Sequence, residues 1–161
     1  MRHFAGGLAP YVADPLVNLA LSALVILGGL GFLVQLNLVT HFQHPRRHRL
    51  LVYSLLTLWT TGLLLLLGWV GLAALEWHNP ATFGPLSPAA KTLAAFFQSM
   101  TPRSGGFSTV DIESMGTASL LLMMTLMYIG GNSGSTGGGI KTSTFALLVG
   151  SAWNMVQGRG T

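Results

Sequence analysis

The sequence predicts an all-α integral membrane protein with two long spans, a re-entrant helix and an interrupted third span. Three observations predict this class. Of the 161 residues, 50% are hydrophobic and only 7% are charged, whereas a soluble domain carries about 25% charged residues. Two uncharged apolar segments are longer than the ~20 residues that cross a bilayer. The 21 glycines are concentrated in two places, where they interrupt apolar sequence.

The composition also excludes several classes of protein. An ordinary soluble globule or a disordered tail has more charge and less apolar sequence. The net charge of +4 does not indicate a nucleic-acid partner, because the basic residues form only one short cluster. Without cysteine there is neither a disulfide framework nor a thiolate metal site. The sequence contains no pattern typical of hydrolysis, so we expect neither enzymatic activity nor a cofactor of the chain's own.

The first predicted span covers 15–39 and belongs to a first unit, 1–40. Asp14 as helix N-cap and Pro15 at the first helical position predict where this span begins. The second predicted span covers 50–75 and carries no charge.

A basic loop at 41–49 separates the two spans and sets the expected orientation. It contains arginine and histidine side chains and no acid. The positive-inside rule therefore places this loop in the cytoplasm. The segment after the second span is then outside.

A short apolar helix is predicted over 88–100, followed by a glycine-containing loop at 101–109. The helix is too short to span, so it is interfacial or re-entrant. Non-helical backbone at membrane depth is tolerated where it lines a water-filled cavity, and carbonyls aimed into that cavity can bind a dehydrated cation. The sequence favours such a pore loop, with Phe107 packed behind it. An extracellular hairpin with glycines as turn residues remains the alternative.

The third predicted span, 116–157, is interrupted by a second glycine-rich segment. Each interior glycine costs a helix about 1 kcal/mol, so an unbroken helix is not expected. We interpret the segment as a movable gate loop in a broken span; a loop outside the membrane is the alternative. The predicted gate loop consists of Gly130, Gly131, Asn132, Ser133, Gly134, Ser135, Thr136, Gly137, Gly138 and Gly139.

Two cations lie next to these glycine-rich segments. Lys141 is expected to act in gating or in limiting cation flux, because a charge at membrane depth is costly; pairing with an acid elsewhere in the protein is the alternative. Arg103 is expected to point behind the pore loop, near a helix C-terminus, and to pair with Asp111 or Glu113.

A phosphate-binding loop is a remote alternative for the second segment. Residues 134–142 resemble the pattern G-x-x-x-x-G-K-[ST]. Ile140 breaks the match, because it separates the last glycine from Lys141. A P-loop also needs a buried strand before it, which leucine- and methionine-rich sequence does not favour.

Two motifs carry a family resemblance: FFQSMTPRSGGFSTVD at 96–111 and LMYIGGNSGSTGGGIKTSTF at 126–145. Both resemble the pore-forming subunits of the Trk/Ktr/HKT potassium transporter superfamily, most closely the Ktr membrane subunit. DPLVNL at 14–19 and ILGGLGF at 26–32 add to the resemblance. Family members have four repeats of span, pore helix, loop and span around one pore. By motif order, the chain resembles the second span of one repeat followed by one complete repeat at 50–161, which predicts a fragment.

The resemblance implies potassium transport across a cell membrane by a multi-pass protein. Backbone carbonyls of Ser104, Gly105 and Gly106 would bind potassium in a selectivity filter, with Phe107 as a neighbour. The segment 130–139 would be the gating loop, and sodium is a candidate coupling ion. The implied partners are the remaining repeats, a second copy in a homodimer, a cytoplasmic nucleotide-binding regulatory subunit and the lipid bilayer. A truncated, non-transporting membrane remnant is the alternative.

Overall fold

Helices account for the architecture of the chain. The structure, a computed structural model, describes Leu8 and residues 11–44, 51–103, 105–135 and 137–158. The helices in these ranges are α1 (Pro15–Leu30), α2 (Phe32–Gln43), α3 (Val52–Glu76), α4 (Pro88–Met100), α5 (Thr117–Tyr128) and α6 (Thr142–Val156). By length and composition, α3 can cross a membrane, as can α1 and α2 as a bent pair. The fold confirms the predicted all-α membrane class. Residues 45–49 of the predicted basic loop and residue 50, the first of the second predicted span, lie outside the described residues.

Local capping signals position α1 and α4. The Asp14 carboxylate accepts hydrogen bonds from the backbone N–H groups of Leu16 at 2.9 Å and Val17 at 3.4 Å. The Ser87 hydroxyl accepts from the N–H of Ala90 at 3.3 Å. Proline follows each cap, where its missing N–H costs nothing. These caps satisfy N–H groups that the first helical turn leaves without partners.

The first apolar segment is not one continuous helix, which corrects the expectation for 15–39. It divides at Gly31 into α1 and α2, whose axes are bent by 102°. Gly31 has φ 78° and ψ 151°, a region essentially restricted to glycine. A Cβ atom at this position would lie 2.5 Å from the carbonyl oxygen of Ser133. The helix therefore breaks where the gate loop packs against it.

Gly31→Ala is expected to lower the thermal stability of the purified chain in detergent micelles. This backbone conformation alone costs an L residue about 1–3 kcal/mol, and the contact with Ser133 adds to it. Gly29→Ala is the matched control, because a Cβ at Gly29 meets nothing within 4 Å. Equal melting temperatures for the two variants would show that the break does not depend on Gly31.

The short helix α4 packs on the long helix α3. The Trp69 indole N–H donates to the carbonyl of Thr92 at 3.0 Å, and the Trp69 and Phe96 rings meet edge to face at 5.8 Å. Ala94 and Ala95 are fully buried and lie with Phe83 in one apolar cluster. These contacts hold α4 against α3. They thereby fix the position of the C-terminal end of α4, where the chain continues into 101–109.

A buried carboxylate closes the predicted outer end of α3. Glu76 accepts hydrogen bonds from the N–H of Gly116 at 2.8 Å, from the Asn79 amide at 2.6 Å and from the Thr82 hydroxyl at 2.6 Å. The side chain is 1% exposed, and its three donors compensate for its burial. Glu76 thereby joins α3 to the loop before α4 and to the start of α5.

Candidate ion pathway: filter segment and gate loop

The predicted filter segment follows directly from the end of α4. A 3₁₀ turn at Thr101–Arg103 continues the helix, and the N–H of Gly105 donates to the carbonyl of Thr101 at 3.0 Å. Ser104 lies outside the described residues. The carbonyl end of α4, which carries partial negative charge, therefore points toward the predicted filter residues.

Gly106 has the backbone geometry of a position that needs glycine. Its φ is 66°, in the left-handed region that L residues avoid. A Cβ atom added to Gly106 would meet nothing within 4 Å. The preference for glycine at position 106 thus comes from its backbone conformation and not from crowding by the described residues.

Phe107 is not packed behind the filter segment by any of the described residues, contrary to the expectation. Its side chain is 53% exposed. The residue that supports the segment from α4 is Gln98, which is fully buried and donates to the Ser108 hydroxyl at 3.2 Å. Ser108 donates in turn to the carbonyl of Val110. Gln98 was not identified from sequence, because a glutamine in a short apolar helix gives no signal by itself.

The gate loop is closed at its base by backbone hydrogen bonds. The N–H of Gly130 donates to the carbonyl of Ile140 at 3.1 Å, and the N–H of Ile140 donates to Tyr128 at 2.9 Å. We call this base, residues 128–131 with 140–142, the neck. The two sides of the loop approach each other so closely here that position 130 requires glycine. A Cβ on Gly130 would lie 1.6 Å from the carbonyl oxygen of Gly138. Thr136, a predicted gate residue, lies outside the described residues.

Asn132 anchors the gate loop to the break between α1 and α2. Its N–H donates to the carbonyl of Gly29 at 2.9 Å, and its amide donates to Leu30 at 3.1 Å. The Tyr53 hydroxyl donates to the Asn132 side-chain oxygen at 2.9 Å. The N–H of Phe32 also donates to the carbonyl of Gly134 at 3.3 Å. The gate loop therefore provides hydrogen-bond partners for the backbone at the end of α1 and the start of α2, and they provide partners for the loop.

Lys141 contacts the gate loop itself. Its ammonium group donates to the carbonyl of Gly137 at 2.8 Å. This bond connects the start of α6 to the second half of the loop. The structure thus places Lys141 with the predicted gate residues.

Arg103 is directed at the neck of the gate loop, and the expected pairing with Asp111 or Glu113 is not found in the described part of the chain. The guanidinium donates to the Thr142 hydroxyl at 3.0 Å and to the carbonyl of Gly130 at 3.5 Å, both at the neck. Asp111 instead accepts from the N–H of Glu113 and the hydroxyl of Ser114. Among the described residues, the partners of Arg103 are therefore polar groups at the neck and not the carboxylates that follow in sequence.

The P-loop alternative does not fit the described backbone. The segment before the glycines is helix α5, Thr117–Tyr128, whereas a P-loop follows a buried strand. Lys141 is directed at Gly137 within its own loop. The glycine-rich segment is therefore an interruption between two helices.

Comparison with known proteins identifies the family. Residues 5–157 match the sequence model of TrkH, described as a cation transport protein. The chain belongs to the TrkH family of cation transport proteins. This is a transport family and not an enzyme family, and with the apolar helices it confirms the predicted location in the cell membrane.

Curated relatives in the TrkH family are potassium uptake proteins by name. The Ktr system potassium uptake protein B of Vibrio alginolyticus is 43% identical over 154 residues, which cover 96% of this chain and 34% of that protein. Its namesake in Bacillus subtilis is 37% identical, with 94% and 34% covered. The potassium/sodium uptake protein NtpJ of Enterococcus hirae is also 37% identical, with 88% and 30% covered. The chain thus spans about a third of the length of these relatives.

Proposed function

We propose that this chain forms part of the pore of a potassium uptake transporter, with the segment 104–107 as one filter strand and 130–139 as its gate loop. The observation that carries the proposal is a contact between the residue that precedes the first segment and the base of the second. Arg103 directly precedes the filter segment and donates to Thr142 and Gly130 at the neck of the gate loop. The start of one glycine-rich segment is thus held next to the base of another that is far away in sequence, as expected for successive parts of one ion path.

The filter strand would bind potassium through backbone carbonyls. Ser104, Gly105 and Gly106 supply these carbonyls, and Phe107 ends the strand. Carbonyl rings replace the hydration shell of a monovalent cation. The left-handed backbone of Gly106 and the carbonyl end of α4 support this assignment. Because one strand cannot surround an ion, the other filter strands come from further repeats of the transporter.

The gate loop would obstruct the path below the filter. Lys141 bonds to Gly137 and Asn132 bonds to Leu30, which supports a defined position of the loop; in the proposal this position is the closed one. A cytoplasmic nucleotide-binding regulatory subunit would shift it, and a second copy would complete a homodimer; both follow the Ktr resemblance, and the relatives' names refer to a Ktr system. Sodium is the proposed coupling ion, a choice that the name of the E. hirae relative supports.

A chimera tests this function. Residues 5–157 replace the matching third of the V. alginolyticus protein, and the chimera is expressed in cells that lack potassium uptake systems. We expect the chimera to restore growth at low potassium, because each pore segment keeps its place. The 161-residue chain expressed alone is expected not to restore it, since it contributes one filter strand.

Two outcomes would contradict the proposal. A chimera that reaches the membrane but transports no potassium would favour a non-transporting membrane protein. Strong rescue by the chain alone would show that copies of it assemble a complete filter, and the single-strand account would be wrong. Membrane expression of both proteins is measured in parallel.

A further inference from the structure

We propose that Arg103 is a positioning residue that couples the filter segment to the gate loop. The inference rests on the proposed function for what the coupling does, but the contact itself can be tested without transport. Arg103 is 7% exposed, and a cation buried at membrane depth is costly unless its surroundings compensate it. The hydrogen-bond partners of the buried guanidinium therefore indicate the role of Arg103.

The partners of Arg103 come from two different parts of the chain. One guanidinium nitrogen donates to the Thr142 hydroxyl at 3.0 Å and to the carbonyl of Gly130 at 3.5 Å. The other donates to the carbonyl of Thr61 in α3 at 3.5 Å. Arg103 thus holds both sides of the neck, where the gate loop leaves α5 and where it enters α6, against a long helix.

The neck forms a closed network only with its threonine in place. The Thr142 hydroxyl donates to the carbonyl of Gly130 at 2.8 Å while it accepts from Arg103. Hydrogen bonds linked in this way strengthen one another in a low-dielectric environment. A gate loop that opens at the neck must break this network or move Arg103 with it.

Arg103 transmits such a movement to the filter because of its position in the chain. It ends the 3₁₀ turn that follows α4, and the N–H of Gly105 is bonded to Thr101 across that turn. A displacement of Arg103 therefore displaces the first residues of the filter. By linkage, ion occupancy of the filter also biases the neck.

A small cavity beside Arg103 leaves room for this side chain to be hydrated. The cavity is about 20 Å³ in volume and is bordered by Thr61, Met100, Arg103 and Gly131. One water molecule needs about 10–15 Å³. The Nε atom of Arg103 is buried without a hydrogen-bond partner among the described residues, so it is the donor that a water here would satisfy.

Hydrogen–deuterium exchange on the purified chain in lipid nanodiscs tests the contact. Arg103→Gln is expected to speed exchange at the amides of Gly130, Ile140 and Thr142 by about tenfold or more, because bonds to a charged donor are among the stronger ones. Thr142→Val is expected to do the same. The double variant should exchange no faster than either single one, since both remove one network.

Controls separate coupling from general loss of structure. Arg103→Lys keeps the charge but not the fork that reaches three oxygens, and we expect an intermediate effect. Lys91→Gln removes a cation from α4 whose partner is the carbonyl of Trp77, and should leave the neck unchanged. Faster exchange along all of α3 in Arg103→Gln would show a structural role only and overturn the proposal. So would additive effects of Arg103→Gln and Thr142→Val.

Transport by the chimera gives the second readout. Arg103→Gln should change both the basal uptake rate and the potassium-to-sodium ratio, because it touches both segments. A change in only one of these quantities would overturn the coupling. If the chimera transports nothing, the proposed function fails, while the exchange experiment still decides whether the contact exists.

Discussion

Gly106→Ser in the chimera is expected to lower potassium-over-sodium discrimination by roughly tenfold. The left-handed backbone of Gly106, at φ 66°, costs an L residue about 1–2 kcal/mol, so we expect a serine here to shift the neighbouring carbonyls. A tenfold loss corresponds to ~1.4 kcal/mol in the difference between the potassium and sodium barriers. The added side chain has open space around it, so the expected defect is a distorted carbonyl strand and not a misfolded protein. Initial uptake rates of potassium and sodium measure the effect.

Gly62→Ser is the matched control for the filter variant. Gly62 lies in α3, where an added Cβ also meets nothing within 4 Å, but its backbone is helical. We expect it to leave the uptake ratio unchanged. A Gly106→Ser chimera that discriminates as well as its parent would exclude this residue from the filter.

Deleting residues 133–136 of the chimera is expected to raise the initial potassium uptake rate by up to about tenfold, which corresponds to a barrier lowered by ~1.4 kcal/mol. The deletion removes the four residues at the middle of the gate loop sequence. It keeps Asn132, which is bonded to Gly29, Leu30 and Tyr53, and keeps Gly137, so the flanking helices should still insert. Dependence on the regulatory subunit should fall as well.

Replacing 133–136 with four glycines is the control for the deletion. It preserves the length of the loop and removes only side chains, so we expect uptake close to that of the parent chimera. A deletion variant that is well expressed but transports more slowly than the parent would show that the loop supplies ligands to the ion and does not obstruct it.

Local signals in the sequence account for the helix starts. Asp14–Pro15 and Ser87–Pro88 satisfy and shape the first turn of α1 and α4 with neighbouring residues alone. The two glycine-rich segments likewise indicate where the backbone does not remain helical. The all-α membrane class follows from such short-range information together with composition.

Contacts between distant segments could not be predicted in the same way. The run around Gly31 is continuously apolar, and its break depends on hydrogen bonds from Asn132, about a hundred positions later in the chain. The sequence predicts an ion pair between Arg103 and a nearby acid, Asp111 or Glu113. Its hydrogen-bond partners in the structure are instead Gly130, Thr142 and Thr61. Phe107 was expected to be packed because it is apolar, yet it is exposed.

The central claim is that one segment of this chain selects the ion and another controls its rate of passage. Potassium and sodium uptake rates, measured in the same cells for the parent chimera, Gly106→Ser and the 133–136 deletion, test it most directly. The account predicts that Gly106→Ser changes the potassium-to-sodium ratio without raising the rate. The deletion leaves Arg103, Gly130 and Thr142 in place and is predicted to raise the rate without changing the ratio. Variants that both alter the same quantity, or neither, would contradict the separation of filter and gate.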